Sequence, residues 1–75
     1  MNVKQVLDIK GLACPMPIVK TKKAMDVLQS GEVLEVHVTD KGALKDIPAW
    51  AQTGGHEVLQ NREENGVLQF WIQKA

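Results

Sequence analysis

The sequence is poor in aromatic residues and in cysteine. It has no tyrosine, one phenylalanine, two tryptophans and a single cysteine, Cys14, among its 75 residues. One cysteine cannot form an internal disulfide bond, so the fold must hold without covalent cross-links. Because a small domain with a free thiol is typical of a reducing compartment, we expect a cytoplasmic protein.

The sequence also lacks a net charge and long apolar runs. Nine basic side chains balance nine acidic ones, which disfavours general nucleic-acid binding because the phosphate backbone attracts proteins with a basic excess. No apolar run approaches the roughly 18 residues of a membrane span, and "MNVKQVLDIK" has no signal-peptide pattern. The length predicts one domain, residues 1–75.

Alternation of apolar and polar residues predicts the strands. The segment "KQVLDI" fits a short strand, and "EVLEVHVT" puts Leu34, Val36 and Val38 on one face. Near the end of the chain, "HEVLQN" and "VLQFWIQ" flank "REENG", which ends in Asn65 and Gly66. Asn-Gly between two strand patterns is a strong hairpin signal, so these two segments are predicted to pair.

Two further segments have helical periodicity. From Pro15 to Gln29 the apolar positions fall on one arc, and Gly31 follows where a helix C-terminus favours a left-handed residue. After "DKG", the residues on one arc are Ala43, Leu44, Ile47, Trp50 and Ala51. Pro48 interrupts this pattern, so either Asp46 caps a helix that starts near it or the segment is kinked.

The order of these elements predicts an α+β fold. Each helix has a single apolar stripe, so a βαβαββ chain would form a two-layer α/β sandwich, with two helices packed on one face of a four-stranded mixed sheet. The other face of the sheet would be open to solvent. In the last strand, Leu68, Phe70 and Ile72 would face the core and Trp71 the open side.

Cys14 lies in "GLACPMPIVKTKKAM", where two prolines restrict the backbone. Pro15 and Pro17 suit the first turn of a helix, because a proline there loses no hydrogen bond and its φ is already helical. Cys14 is therefore predicted at or next to the N-cap, near free N–H groups and the positive end of the helix dipole. That position lowers the pKa of a thiol and favours the reactive thiolate.

The residues that are missing around the thiol restrict its chemistry. There is no second cysteine for a redox pair, and a Cys–His pair would need His37 or His56 brought close by the fold. A thiol without an internal partner must exchange with another molecule, so carriage of a group as a persulfide or mixed disulfide fits best. The structural alternative is a buried, inert cysteine.

The sequence resembles the TusA/SirA-like sulfur-carrier (sulfurtransferase) family over nearly its whole length. The resemblance is carried by "LDIKGLACPMPIVKTKKAM" and "DIPAWAQTGGHEV". The residues of its Cys-Pro-x-Pro motif and the lead before it are Cys14, Pro15, Met16, Pro17, Leu7, Asp8, Gly11 and Leu12. The resemblance implies the βαβαββ fold, a persulfide on Cys14, a helix start set by Pro15 and Pro17, and no cofactor or metal.

The resemblance also implies protein partners. Members of the family accept sulfur, often from a cysteine desulfurase, and hand it to an acceptor protein, so this chain would act as a sulfurtransferase within a relay. Lys20, Lys22 and Lys23 would steer an acidic donor surface towards the thiol. Ala13 and Met16 stand where members serving tRNA thiolation often carry arginine and glutamate, so the pathway stays open.

Two other functions remain open at this point. A regulatory or adaptor module would bind a partner through the open sheet face around Trp71, with Cys14 packed. A nucleic-acid binder would rest on fold resemblance to the C-terminal domain of a bacterial translation initiation factor, which zero net charge weakens. Of the histidines, His56 is expected to stabilise a turn and His37 to be solvated, and neither has metal-ligand spacing to Cys14.

Overall fold

The computed structural model describes residues 3–13 and 16–75. The elements are β1 (Val3–Asp8), α1 (Met16–Asp26), β2 (Val33–Val38), α2 (Ala43–Thr53), β3 (Glu57–Glu64) and β4 (Val67–Gln73). Their order is the predicted βαβαββ. In this part of the chain there is no helix with the length and apolar character needed to cross a membrane.

The strands form one mixed sheet in the order β1-β2-β4-β3. β1 pairs in parallel with β2, whereas β4 pairs antiparallel with both β2 and β3. The register places Leu7 beside Val36, and Val36 beside Phe70. Both helices contribute to the same core as this face of the sheet. The predicted two-layer α+β sandwich is therefore confirmed.

The core lies between the helices and one face of the sheet. Leu34, Val36 and Val38 of β2 have no exposed surface, and Phe70 and Ile72 of β4 are equally buried. The buried helix residues are Pro17, Thr21, Ala24 and Met25 on α1, and Ala43, Ile47 and Ala51 on α2. Full burial of a large apolar side chain contributes about 1.5–3 kcal/mol, so this layer is the main source of stability.

The second helix differs from the sequence prediction in two respects. Gly42 is its N-cap and Asp46 lies in its first turn, so the prediction that Asp46 caps the helix is wrong. Pro48 lies in the middle of the helix, where it removes one backbone hydrogen-bond donor. Leu44 is 52% exposed, because about 100° of rotation per residue carries it beyond the edge of the arc that starts at Ala43.

The first helix ends at Asp26, earlier than the predicted Gln29. Gly31 has the predicted positive φ, 87°, but it lies in the turn into β2 rather than at the helix end. That turn is closed by a hydrogen bond of 3.0 Å from the N–H of Glu32 to the carbonyl oxygen of Gln29. The hairpin prediction is confirmed, since Asn65 and Gly66 have φ of 53° and 80°, as a type I′ turn requires.

A lysine from the other end of the chain closes the end of α1. The Nζ of Lys74 donates hydrogen bonds of 2.9 Å to the carbonyl oxygen of Met25 and 2.7 Å to that of Leu28. A helix C-terminus leaves carbonyl groups without intrahelical donors and favours a cation there. Lys74 meets both needs. The contact spans 49 residues of sequence for Met25, so local patterns do not reveal it.

We expect Lys74→Met to lower the free energy of unfolding by about 1–2 kcal/mol, because hydrogen bonds from a charged donor are lost. Lys41→Met, which removes an exposed lysine, is the matched control and should stay within about 0.5 kcal/mol of the wild type. Urea unfolding followed by tryptophan fluorescence measures both variants. Equal stability of the two would contradict the capping role of Lys74.

Candidate functional site

The segment between β1 and α1 contains the candidate site. Cys14 and Pro15, the first two residues of the predicted motif, lie outside the described residues. The residues on both sides of them are described: residues 9–13 lead from β1, and Met16 begins α1. The geometry of the site is therefore built from its two flanks.

The N-terminal flank is anchored to the core by apolar side chains. Ile9 is 4% exposed, and its N–H donates to the carbonyl oxygen of His37 at 2.9 Å, which continues the pairing of β1 with β2. Leu12 is half-buried and packs against the core. Between them Gly11 turns the chain with φ of 88°. Gly11 and Leu12, which belong to the lead before the Cys-Pro-x-Pro motif in the family resemblance, thus set the path of this flank.

Two side chains accept hydrogen bonds from the backbone of the same flank. The carboxylate of Asp8 accepts the N–H of Lys10 at 3.1 Å, and this bond holds the pKa of that carboxyl below its ordinary value. The hydroxyl of Thr39 accepts the N–H of Gly11 at 2.9 Å. The sequence analysis did not identify Thr39. Its position as the last residue of the predicted strand "EVLEVHVT" was the signal that could have indicated it.

The C-terminal flank is the first turn of α1. Pro17 lies there and is buried. The hydroxyl of Thr21 donates to the carbonyl oxygen of Pro17 at 2.7 Å, which ties the first turn to the next. The N–H of Met16 donates to the carbonyl oxygen of Ala13 at 2.9 Å. This bond joins the two flanks directly.

The starts of the two helices form a shallow depression beside the site. Its lining residues are Pro17, Ile18, Asp40, Ala43 and Asp46. Asp40 also accepts the N–H of Gly42 at 3.1 Å, which holds the entry to α2. The beginning of α1 and the loop after β2 therefore face each other across this depression.

The lysines of α1 are exposed but do not form one cluster. Lys20 and Lys23 lie on the face of α1 that begins at Met16, because residues three or four apart share a helix face, and Val27 follows at the same spacing directly after the helix end. Lys22 projects from a different side of the helix. None of the three takes part in an ion pair among residues 3–13 and 16–75.

The exposed face of α1 combines charge with apolar surface. Met16 is 39% exposed and Val27 is 74% exposed. We call Met16, Lys20, Lys23 and Val27 the basic stripe. It begins two residues after Cys14 in sequence and follows the helix away from the site.

The open face of the sheet carries a hydrogen-bonded network centred on Glu35. The indole N–H of Trp71 donates to Glu35 Oε1 at 2.9 Å, and the Nε2 of His37 contacts the other carboxylate oxygen. Trp71 is half-buried on this face. His37 is engaged by Glu35 rather than merely solvated.

The lysine nearest in sequence to the site, Lys10, pairs with Asp8 at 3.5 Å.

The second histidine has a structural environment. The Nδ1 of His56 accepts the N–H of Ala75 at 3.0 Å, and its ring lies 5.2 Å from the ring of Trp50. It stabilises the turn after α2, as predicted. Within the described ranges, 3–13 and 16–75, no group of three histidine, cysteine or carboxylate side chains could hold a metal ion.

Proteins of known sequence and structure resemble this chain along most of its length. Residues 5–74 match the family model described as sulfurtransferase TusA. YrkI of Bacillus subtilis is 61% identical over 75 residues, with 100% of both chains covered. The sulfur carrier protein TusA of Allochromatium vinosum is 44% identical over 71 residues, covering 95% of this chain and 93% of that protein.

A solved structure supports the same comparison at the level of the fold. The crystal structure of the SirA-like protein from Desulfitobacterium hafniense superimposes with a TM-score of 0.80 at 25% sequence identity. The superposition covers 92% of this chain and 95% of that chain. The similarity in sequence and the similarity in fold each extend over most of the chain.

We expect Gly11→Ala to lower the free energy of unfolding by about 1–2 kcal/mol, because an L-residue is strained at a positive φ. The control is Gly42→Ala, at a glycine with an ordinary φ of −61°, which should change stability by less than about 0.5 kcal/mol. Urea unfolding of both variants provides the comparison. If the two substitutions have the same effect, the turn at Gly11 does not depend on its backbone conformation.

Proposed function

The chain belongs to the TusA sulfurtransferase family, and on that premise we propose that it is a sulfur carrier with a persulfide on Cys14. The resemblance drawn from the residues between Leu7 and the last strand is thereby confirmed at the level of the family. In the proposed function, a donor protein loads Cys14 with sulfane sulfur and an acceptor protein removes it. The proposal includes a cytoplasmic location, because a free thiol is maintained in a reducing compartment.

Loading and delivery require only nucleophilic exchange at sulfur. The thiolate of Cys14 attacks the outer sulfur of a donor persulfide, R–S–SH. The new Sγ–S bond forms as the donor S–S bond breaks, and the donor leaves as the thiolate R–S⁻. In delivery an acceptor thiolate attacks the outer sulfur, and Cys14 leaves as its thiolate. The sulfane sulfur keeps its oxidation state, so the cycle consumes neither oxidant nor reductant.

The anchoring of both flanks of Cys14 is the observation that carries this proposal. A carrier thiol must meet two different proteins, so it has to be accessible and held in a defined place. Ile9 and Pro17 are buried on either side of Cys14, whereas the nearer residues Ala13 and Met16 are exposed. Fixed flanks with exposed neighbours suit a thiol that is presented to partners rather than packed inside.

The start of α1 supports the reactivity of the thiol. The helix begins at Met16, two residues after Cys14 in sequence, and the first N–H groups of a helix favour a nearby anion. A thiolate and a persulfide anion both gain from this environment. In the proposed function Pro15 and Pro17 set the helix start that presents the sulfur.

We expect the protein incubated with a cysteine desulfurase and cysteine to gain one sulfur atom, because the Cys14 thiolate accepts the sulfane sulfur. Intact-mass spectrometry measures the gain, and a reductant should remove it. Inorganic polysulfide, which needs no protein recognition, is the second donor. Cys14→Ser is the control and should stay unmodified with both donors.

The result that contradicts the proposal is equally specific. It is a wild-type protein that stays unmodified with both donors and whose thiol reacts no faster with iodoacetamide at pH 7 than a thiol in a short peptide. In that event the regulatory or adaptor function becomes the better explanation. The network that fixes Trp71 through Glu35 favours this second candidate, because it presents a rigid aromatic side chain on the open face.

We propose that the basic stripe receives the sulfur donor, such as a cysteine desulfurase. Lys20 and Lys23 have no ion-pair partner among the described residues, while Met16 and Val27 add exposed apolar surface beside them. This combination suits an acidic partner surface with an apolar centre. Lys22, which the sequence analysis grouped with the other two, lies on another side of the helix.

We expect Lys20→Glu and Lys23→Glu each to slow loading from a cysteine desulfurase by about three- to tenfold at low salt, because like charges then face each other. The effect should shrink as salt screens the charges. Lys22→Glu is the matched control, with the same charge change on the same helix. The rates come from time-resolved intact-mass spectrometry.

Loading from inorganic polysulfide separates recognition from reactivity in these variants. All three lysine variants should accept sulfur from polysulfide as fast as the wild type. If Lys22→Glu slows the desulfurase reaction as much as Lys20→Glu does, the stripe is not the docking surface, and only the overall charge of the helix matters.

A further inference from the structure

The loop before Cys14 is held by one side chain from another element of the fold. The hydroxyl of Thr39 accepts the N–H of Gly11 at 2.9 Å, across 28 residues of sequence. The bonds from Lys10 to Asp8 and from Leu12 to Ile9 are local, and the bond from Ile9 to the carbonyl oxygen of His37 joins backbone to backbone. Within the described ranges, Thr39 is the one side chain outside residues 3–26 that hydrogen-bonds residues 10–13.

The topology of the sheet explains why Thr39 reaches this loop. β1 and β2 run in parallel, so both end at the same edge of the sheet, and Asp8 pairs with His37 at that edge. The loop from β1 and the first residue after β2 therefore leave the sheet side by side. Thr39 is that first residue. It is exposed, so its side chain contributes to the position of the loop and little to the core.

Gly11 is the point of the loop at which a hydrogen bond has most influence. Its φ of 88° lies in a turn that is closed by a hydrogen bond of 3.3 Å from the N–H of Leu12 to the carbonyl oxygen of Ile9, and the path of the next residues towards Cys14 depends on how this turn is oriented. The backbone on the other side of Cys14 is fixed by the burial of Pro17. A loop held at both ends has few alternative arrangements, whereas a loop released at Gly11 has many.

We propose that Thr39 is a positioning residue for sulfur transfer: its hydroxyl holds the turn at Gly11 and thereby fixes the loop that presents Cys14 to a protein donor. This inference rests on the proposed function, because it concerns the same thiol. Thr39 acts through the loop and does not take part in the exchange of sulfur itself.

The expected effect of losing the hydrogen bond between Gly11 and Thr39 follows from the free energy of such a bond. A neutral hydrogen bond contributes about 1 kcal/mol, which corresponds to a factor of about five in the equilibrium between the held and the released loop. A protein donor must meet the thiol in one orientation, so it is sensitive to this equilibrium. A small reagent can approach from many directions and is much less sensitive.

The test compares Thr39→Val, which keeps the shape and removes the acceptor, with Thr39→Ser, which keeps the hydroxyl. We expect Thr39→Val to raise the amide exchange rate of Gly11 by about fivefold and to slow loading from a cysteine desulfurase by up to about fivefold. Its reaction with iodoacetamide should change by less than about twofold. Thr39→Ser should restore loading to nearly the wild-type rate.

Thr53→Val is the matched control, because the hydroxyl of Thr53 only bonds its own helix, at Ala49. The positioning role is overturned if Thr39→Val is loaded as fast as the wild type. It is also overturned if the loading rates of Thr39→Val and Thr53→Val fall by the same factor and this fall follows a lower melting temperature. A wild type that accepts no sulfur from the desulfurase or polysulfide overturns the proposed function and this role with it. If the wild type is loaded and Thr39→Val is loaded at the same rate, only the positioning role of Thr39 is overturned.

Discussion

The parallel pairing of β1 with β2 is the constraint on which the arrangement of the site depends. It places the ends of two strands at one edge of the sheet, and the chain leaves that edge towards α1 in one case and α2 in the other. Both helix starts therefore face each other across a shallow depression. The antiparallel strands β3 and β4 complete the core but contribute none of the described residues around Cys14. One pairing thus decides which loops can cooperate in presenting the thiol.

Elements governed by local patterns could be predicted from the sequence. The alternation in β2 and β4 identified the buried face, and Asn65-Gly66 identified the hairpin, because each depends on neighbouring residues alone. The end of α1 could not be predicted in the same way, since Lys74 reaches it from a distant part of the chain. The exposure of Leu44 was missed because residues at the edge of a helical arc are buried only where a neighbouring element covers them.

The candidate site also combines features that depend on neighbouring residues with features that depend on residues distant in sequence. The motif around Cys14 led to the hypothesis of a carrier thiol, in which Pro17 was chosen from its residue type and Gly11 and Leu12 from the family resemblance. The acceptor for the N–H of Gly11 comes from the other side of a parallel strand pair, so only the three-dimensional arrangement reveals Thr39. The grouping of three lysines also changed, because adjacency in sequence does not mean a shared face on a helix.

The last residues of the chain lie at the opposite end of the sheet from the thiol loop. Gln73 pairs with Val33 at the start of β2, and the carbonyl oxygen of Ala75 accepts the hydroxyl of Ser30 at 2.7 Å. The length of β2, about 17 Å at roughly 3.4 Å per residue, separates the two ends. A fluorescent dye attached at Ala75 would therefore sit within energy-transfer range of a partner docked at the loop without touching the contact itself.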